Sequence, residues 1–493
     1  MDEWWRSAVF YEIYVRSFAD SDGDGVGDLA GVRQRLPYLR ELGIDAIWLT
    51  PFYPSPGADH GYDVSNYVDV DPLFGTLADF DDLVAAAHEL DLRLIVDIVP
   101  NHTSNRHPWF TEDRSRYVTV AEANGLPNNW PSNWGGPAWT LDEVRREYYL
   151  HLFAPEQPDL DWHNERVREA FDEILRFWLD RGVDGFRIDV AHGLVKNGSL
   201  TDEPEPIPIA RFSSDWRTAI DQPEVHGIYR DWRRVADSYS GDRVLVGEVV
   251  FSDQARVAPY LREDELQLAF NFSLVFQPWD ASAIRASIDE SLAALPIVTW
   301  VLESHDVTRI ATRFGRDEAR AAALLLLALP GPVFVYQGQE LGLEEVDLPD
   351  EVRQDPIFLR SGGARTGRDG CRVPLPWTRE LPERSWLPPP ESWGERSVEA
   401  QLEDGASFLA LHAAAIGHRR RSDALRSGSF TWLESPSGSL VFAREARGET
   451  IVCAVNVDAE DVPLPEGEGL LGSKGDGRGA LPPSTSAWVR LRR

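Results

Sequence analysis

Eight runs rich in β-branched and aromatic residues lie between Val9 and Gly342, and most of them stop in polar or charged residues. They cover 9–18, 44–51, 93–102, 185–191, 244–249, 266–272, 296–306 and 332–342. Helical patterns fall between several of them, at Leu29–Leu42, 78–90, 165–181 and near 229–240. Alternating strands and helices imply a parallel sheet covered by helices, because parallel strands need crossover connections. Eight such strands predict an α/β fold in which the sheet closes into a (β/α)8, or TIM, barrel. Functional groups then gather at the C-terminal ends of the strands.

Two stretches break the rhythm. Residues 103–162 are rich in Asn, Pro, Trp and Gly without a sustained period, and are expected to form an inserted subdomain after the third strand. From 425 to 493 short strands alternate with Gly and Pro turns, as in SGSLVFARE and TIVCAVNV, which predicts a C-terminal antiparallel domain of β-sandwich type. The barrel is therefore expected over 1–102 and 163–424, ending in a helix near 398–420. A chain of 493 residues is long enough for one large body and at least one smaller domain.

Charge narrows the partners. The formal net charge of −32 excludes nucleic acid and anionic membrane as ligands, since both need a positive surface. Eighteen Trp residues exceed ordinary packing needs and suit flat ligand faces such as sugar rings. Two cysteines make no disulfide framework and suggest a reducing compartment. The N-terminus lacks a basic and apolar leader, and the most apolar run, 321–329, is too short for a bilayer, so a cytoplasmic location is expected.

The stretch GFRIDVAH, 185–192, is the sharpest local signal. Its period of two puts Phe186 and Ile188 on one face and Arg187 and Asp189 on the other. The arginine would keep the neighbouring carboxylate ionised, as a nucleophile requires; for this stretch alone a buried structural ion pair is an equal alternative. Other strand ends supply Asp97 and His102, Glu248, and His305 with Asp306. Acids at the end of strand after strand argue for one converged site in which carboxyl groups hold different protonation states.

A separate acidic loop, DSDGDGVGDL, sets Asp20, Asp22, Asp24 and Asp28 at alternating positions with the Val26 carbonyl between. Hard oxygen donors at this spacing suit a cation such as Ca²⁺. Position twelve is Gly31, so the loop is not an EF-hand.

The stretches DIVPNH, GFRIDV, GEVV and SHD, in that order, with IDAIWLTP, QPDLDW and GPVFVYQGQE, resemble the α-amylase superfamily of glycoside hydrolases (family thirteen). The likeness is nearest to the α-glucosidase and oligo-1,6-glucosidase branch. It implies a retaining exo-acting α-glucosidase that works through a covalent β-glucosyl-enzyme on a small α-glucoside, as a monomer or homodimer. By the same resemblance Asp189 is the nucleophile, Glu248 the acid and then base, and Asp306 the group that binds sugar hydroxyls. Arg187 would keep Asp189 charged, and His102 and His305 would hydrogen-bond the first sugar. Retention requires the two reacting carboxyl groups about 5 to 5.5 Å apart.

The stretch DHGYD (Asp59 to Asp63) resembles the family's DNGYD loop, in which Tyr62 would stack under the glucose and Asp59 would grip its far hydroxyls. GRDGCRVPLPW resembles RDNxRTPMQW, so Arg372 is expected to pair with Asp59 and close the pocket. His60, Gly370, Val373 and Leu375 with Pro376 depart from those patterns. Val190 after the nucleophile accompanies α-1,6 linkages in related enzymes, but Ala191, His192 and Gly193 do not follow the α-1,6 pattern, and linkage stays open. The resemblance also makes the cation structural, one Ca²⁺ with no organic cofactor. Two further readings stand beside hydrolysis: a transglucosidase or sugar isomerase sharing the glucosyl-enzyme, and a non-catalytic transporter-subunit relative, which would need a membrane helix and usually loses the acids.

Overall fold

The computed structural model describes residues 3–122, 125–204, 214–215, 217–458, 460–475 and 477–492. Eight parallel strands close into a barrel: β1 (Val9–Ile13), β2 (Ala46–Leu49), β3 (Arg93–Ile98), β4 (Gly185–Ile188), β5 (Val244–Gly247), β6 (Leu268–Asn271), β7 (Thr299–Trp300) and β8 (Val333–Tyr336). Each strand pairs with its sequence neighbours, and β8 closes on β1 from Val9 opposite Val333 to Glu12 opposite Tyr336. This is the expected TIM barrel.

Strand parity explains the interior. Phe10, Ala46, Trp48, Ile95, Val244, Val246, Leu268, Phe270 and Phe334 form one buried cluster inside the barrel. The alternate residues Val9, Tyr11, Ile47, Leu94, Val96, Phe186, Leu245 and Ala269 pack outward against the helices. Phe10 stacks on Phe334 at 4.3 Å between ring centroids, so the barrel is a packed core and not a pore. One step past these inward residues come Glu12, Asp97, Arg187 and Glu248. The same alternation that fills the core delivers charged groups to its upper end. Gly185 is required at the start of β4, because a Cβ there would lie 2.0 Å from the Val244 carbonyl oxygen of β5.

The helices agree with the periodic segments, with local shifts. The helix expected near 229–240 runs from Val225 to Asp237, burying Val225, Ile228, Tyr229, Trp232, Val235 and Ala236 along one face. The helix expected over 398–420 is two, Val398–Leu402 and Phe408–Arg421. The second opens on Ser407, whose side chain accepts from the Ala410 N–H, so a fresh cap replaces a continuous helix.

Within 103–162 a small antiparallel sheet forms from Thr119–Ala121, Trp139–Asp142 and Glu147–Leu150, with the last strand in the middle. At the far end of the chain five antiparallel strands (Ser429–Trp432, Ser439–Ala446, Glu449–Asn456, Gly467–Gly472 and Thr485–Leu491) make one sheet. A two-stranded sheet, Val462–Pro463 with Ala480–Leu481, covers its Val441, Val452 and Ala487 face. Two buried arginines, Arg444 of this domain and Arg419 of the helix before it, bond the end of one barrel helix. Arg419 donates to the Leu327 and Leu329 carbonyls (2.7 and 2.9 Å), and Arg444 donates to the Ala328 carbonyl. Both meet the C-terminal end of helix Arg316–Ala328, where a cation is favoured. Among the described residues no helix is long and apolar enough to cross a membrane.

Candidate active site

A cavity of about 860 Å³ opens over the C-terminal ends of the strands. Asp59, Tyr62, His102, Asp189, Glu248, Asp306 and Arg368 all reach its wall. Tyr62, Trp134 and Phe153 are its aromatic wall residues, and behind Tyr62 the His305 ring is stacked between Tyr62 and Tyr14.

Arg187 is the hub. Its Nη1 donates to both oxygens of Asp97 (3.1 and 3.0 Å) and to Asp189 Oδ1 (2.7 Å), while Nη2 sits 2.8 Å from Glu248 Oε2. One buried guanidinium thus gathers three carboxyl groups, which also places Asp189 and Glu248 side by side. Burial pushes the Asp189 carboxyl well up, the Arg187 charge opposes this, and the charges of Glu248 and Asp97 add to the rise. Burial likewise takes Asp97 up to about 6 against the pull of Arg187. Burial thus raises two of the carboxyl groups that share this cation.

Among the described residues, Asp189 Oδ2 and Glu248 Oε1 have no protein hydrogen bond, so one oxygen of each acid is left for a ligand. Glu248 Oε2 also accepts from the Val190 N–H at 3.0 Å. Val190 has φ of +44°, a strained backbone for a β-branched residue, of order 1–3 kcal/mol. That twist turns its N–H toward Glu248 directly after the Asp189 position.

Asp306 occupies the opposite electrostatic environment. Burial works to raise its carboxyl, but His305, Arg368, Arg372 and Arg187 outweigh burial and hold it well below the usual carboxylate range. Arg368 Nη1 and Arg372 Nη2 donate to its Oδ1 at 3.0 and 2.9 Å.

Asp59 does not meet Arg372, contrary to expectation. Its partner is Arg368, whose Nη2 donates to Asp59 Oδ1 at 2.7 Å and whose Nε donates to Asp355 Oδ2 at 2.6 Å. Arg372 lies deeper: it follows the 3₁₀ turn Asp369–Cys371, and its Nε donates to the His305 carbonyl at 2.8 Å. The turn sends the two arginines of one motif to different levels, so only Arg368 reaches the cavity wall.

His102 lines the cavity with both ring nitrogens engaged. Asn101 Nδ2 is 3.0 Å from Nδ1, and the Tyr62 carbonyl is 3.0 Å from Nε2. Asn101 is fixed in turn by Lys196 Nζ (2.7 Å), which pairs with Asp159 at 2.9 Å. His305 has Nε2 2.9 Å from the Tyr62 hydroxyl and 3.4 Å from Asp306 Oδ2, and its Nδ1 bonds the buried carboxylate of Glu12. Glu12, Arg368 and Lys196 were not singled out from sequence. Glu12 had a signal available: it sits two residues beyond Phe10 on the inward side of β1.

In the acidic loop the carboxylates of Asp20, Asp22 and Asp28 have oxygens within 4.8 Å of one another. Asp24 falls outside this group; its Oδ1 accepts from the Val26 N–H at 2.8 Å. The Oδ1 of Asp28 also caps the helix Leu29–Leu42 by accepting from the Gly31 N–H.

A parallel barrel whose mouth holds three carboxyl groups on one arginine, beside aromatic wall residues, is built for acid–base chemistry. Residues 12–428 match the family model described as "Alpha amylase, catalytic domain". A probable alpha-glucosidase of Rhizobium meliloti is 39% identical over 93% of this chain and 90% of its own length. An oligo-1,6-glucosidase of Parageobacillus thermoglucosidasius is 34% identical over 87% of this chain and 85% of its own. The crystal structure of an alpha-glucosyl transfer enzyme, XgtA, superposes with a TM-score of 0.92 at 38% identity over the whole of both chains. The chain belongs to the α-amylase family of glycoside hydrolases.

Proposed function

We propose that the protein is a retaining α-glucosidase that removes single glucose units from the non-reducing end of short α-glucosides. The observation that carries the reading is the single Arg187 guanidinium touching Asp189 and Glu248 together, with one free oxygen on each acid facing the cavity.

In this mechanism the free oxygen of Asp189 attacks the anomeric carbon while Glu248 protonates the departing glycosidic oxygen. The C–O bond breaks, the aglycone leaves with the proton, and glucose stays as an ester on Asp189. Glu248, now ionised, takes a proton from water, whose oxygen attacks the same carbon and frees glucose and the Asp189 carboxylate. Asp306, kept ionised by its arginines, would hold two sugar hydroxyls and favour the charge that develops on the ring. Arg187 orients both acids. Tyr62 would lie under the glucose, and the pair of Asp59 and Arg368 would close the cavity behind its far hydroxyls, which favours chain ends.

A second reading, transfer of the glucosyl group to another sugar, is favoured by the likeness to an α-glucosyl transfer enzyme over the full chain. It uses the same ester and differs only in what attacks it. We further propose that Asp20, Asp22 and Asp28, with the Val26 carbonyl, hold a structural Ca²⁺, the all-oxygen donor set being right for that ion.

Incubation with maltose, isomaltose and an aryl α-glucoside tests the proposal, with products resolved by chromatography at low and high sugar concentration. Glucose is expected from at least one substrate, with transfer products rising at high concentration. Absence of glucose and of transfer products from all three refutes it.

A further inference from the structure

We propose that the closed end of the barrel, opposite the catalytic mouth, carries a binding site for a phosphate group. A second cavity, of about 280 Å³, lies there between the starts of the strands and the C-terminal helices. Arg93 opens β3, Asp45 precedes β2, and Arg419, Arg420 and Arg426 enter from the helices Phe408–Arg421 and Asp423–Ser427. The volume lies at the lower edge of small-molecule sites, about 300–1,000 Å³, enough for a phosphate and a small group attached to it.

The charge balance in this cavity is the reverse of the rest of the molecule. Acids outnumber bases by 81 to 49 in the chain, yet here four arginines face two aspartates. Asp91 is largely exposed and leans on Arg40, outside the cavity, at 3.4 Å. Asp45 spends Oδ2 on the Val9 N–H (2.9 Å) and offers Oδ1 to Arg420 Nε at 3.4 Å. Arg93 is committed to Asp184 at 3.0 Å. The bonds of Arg419 go to the carbonyls of Leu327, Leu329 and Gly331, and that of Arg426 goes to the Ser7 hydroxyl at 3.4 Å. Neutral acceptors orient these guanidiniums without cancelling their charge.

About two positive charges are therefore left facing one partly open cavity. The strain is visible in Arg419, which burial, aided by the charge of Arg426, brings down to about 10 despite the pull of Asp45. A dianion relieves such a site better than a monocarboxylate, and planar guanidiniums match phosphate oxygens in pairs. Phosphate here would link the last helices of the barrel region to the bases of β1 and β3, so its binding should stabilise the fold. The site is independent of the glucosidase reading, since none of its residues lines the catalytic cavity.

The test is the melting temperature of the full chain in millimolar inorganic phosphate, against sodium chloride at equal ionic strength. A rise of about 2 °C or more with phosphate is expected. The exposed variant Arg426→Ser and the variant Arg420→Ser should lose that rise while hydrolysing an aryl α-glucoside at the parent rate. Glucose 6-phosphate, with glucose as control, separates the sources of the group. A half-maximal shift at lower concentration than inorganic phosphate assigns a phosphate ester, and the opposite order assigns the free ion. No rise beyond the chloride control overturns the proposal, and so does a rise that persists unchanged in both variants.

Discussion

The exchange of roles between Arg368 and Arg372 leads to a double-mutant cycle with a defined result. Arg368 and Asp59 are 2.7 Å apart with side chains 10% and 4% exposed, so solvent screens the pair little. Close charge pairs of this kind couple by about 1.5–7 kcal/mol. The lower end applies, because Arg368 also serves Asp306 at 3.0 Å and Asp355 at 2.6 Å. A coupling near 2 kcal/mol corresponds to about thirtyfold in kcat/KM. Asp59→Asn leaves Arg368 with two acids, whereas Arg368→Met leaves Asp59 without its arginine and Asp306 and Asp355 with Arg372 alone of the two, so the arginine variant should be the worse of the singles. The double variant should be less impaired than the product of the singles by that thirtyfold. Arg372 has no direct contact with Asp59, and the Asp59→Asn and Arg372→Met cycle should close to within about 0.5 kcal/mol. The assay is kcat/KM for an aryl α-glucoside, with melting temperatures to exclude unfolding. Additivity of Asp59 with Arg368, alongside coupling of Asp59 with Arg372, would refute the assignment.

Asp189→Asn and Glu248→Gln should each abolish turnover of maltose while the melting temperature stays within a few degrees of the parent, as followed by glucose release and calorimetry; parent-like rates in either would end the role assignment. Asp97 has a folded-state value of about 6 against 3.8 in the open chain, so the folded form binds its proton more tightly and stability falls as pH rises from about 4 to 6. Urea titrations should therefore show the parent losing up to about 3 kcal/mol relative to Asp97→Asn across that window, and no further change above it. Chelation should lower the melting temperature without altering the products, whereas an unaltered melting temperature with no metal by elemental analysis would count against the Asp20, Asp22 and Asp28 loop. Glu12→Gln keeps an acceptor for His305 Nδ1 but removes the charge. It should lower kcat/KM for an aryl α-glucoside with little change in melting temperature, and an unchanged kcat/KM would reduce Glu12 to packing.

Much of the site was legible because its position follows from strand parity. A strand that packs alternate residues inside must send the next residue of that series to the barrel mouth. Asp97 follows Ile95 and Arg187 follows Gly185 in this way, as Glu248 follows Val246. An abrupt change from apolar to charged at that step is visible in the letters alone. Glu12 obeys the same rule after Phe10 but stands inside VFYEI, where apolar residues continue on the outward side and blur the break. Strand β7 shows the opposite limit: the apolar run 296–306 pairs only at Thr299 and Trp300, since the chain must leave the sheet to aim His305 and Asp306.

What parity cannot reach is the loop around GRDGCR. Its arginines are four residues apart with no period to orient them, and their destinations depend on one 3₁₀ turn and on partners more than sixty residues away. The division of labour is physical as well as topological. Groups set by parity meet on Arg187, where acids outnumber the cation and burial raises Asp189 and Asp97. Asp306 instead meets two loop arginines, where cations outweigh burial and the acid stays charged. Under the proposed mechanism, proton transfer would fall to the strand ends and charge stabilisation to the loop. An enzyme of this build could change its ligand by altering the loop and leave its acid pair intact.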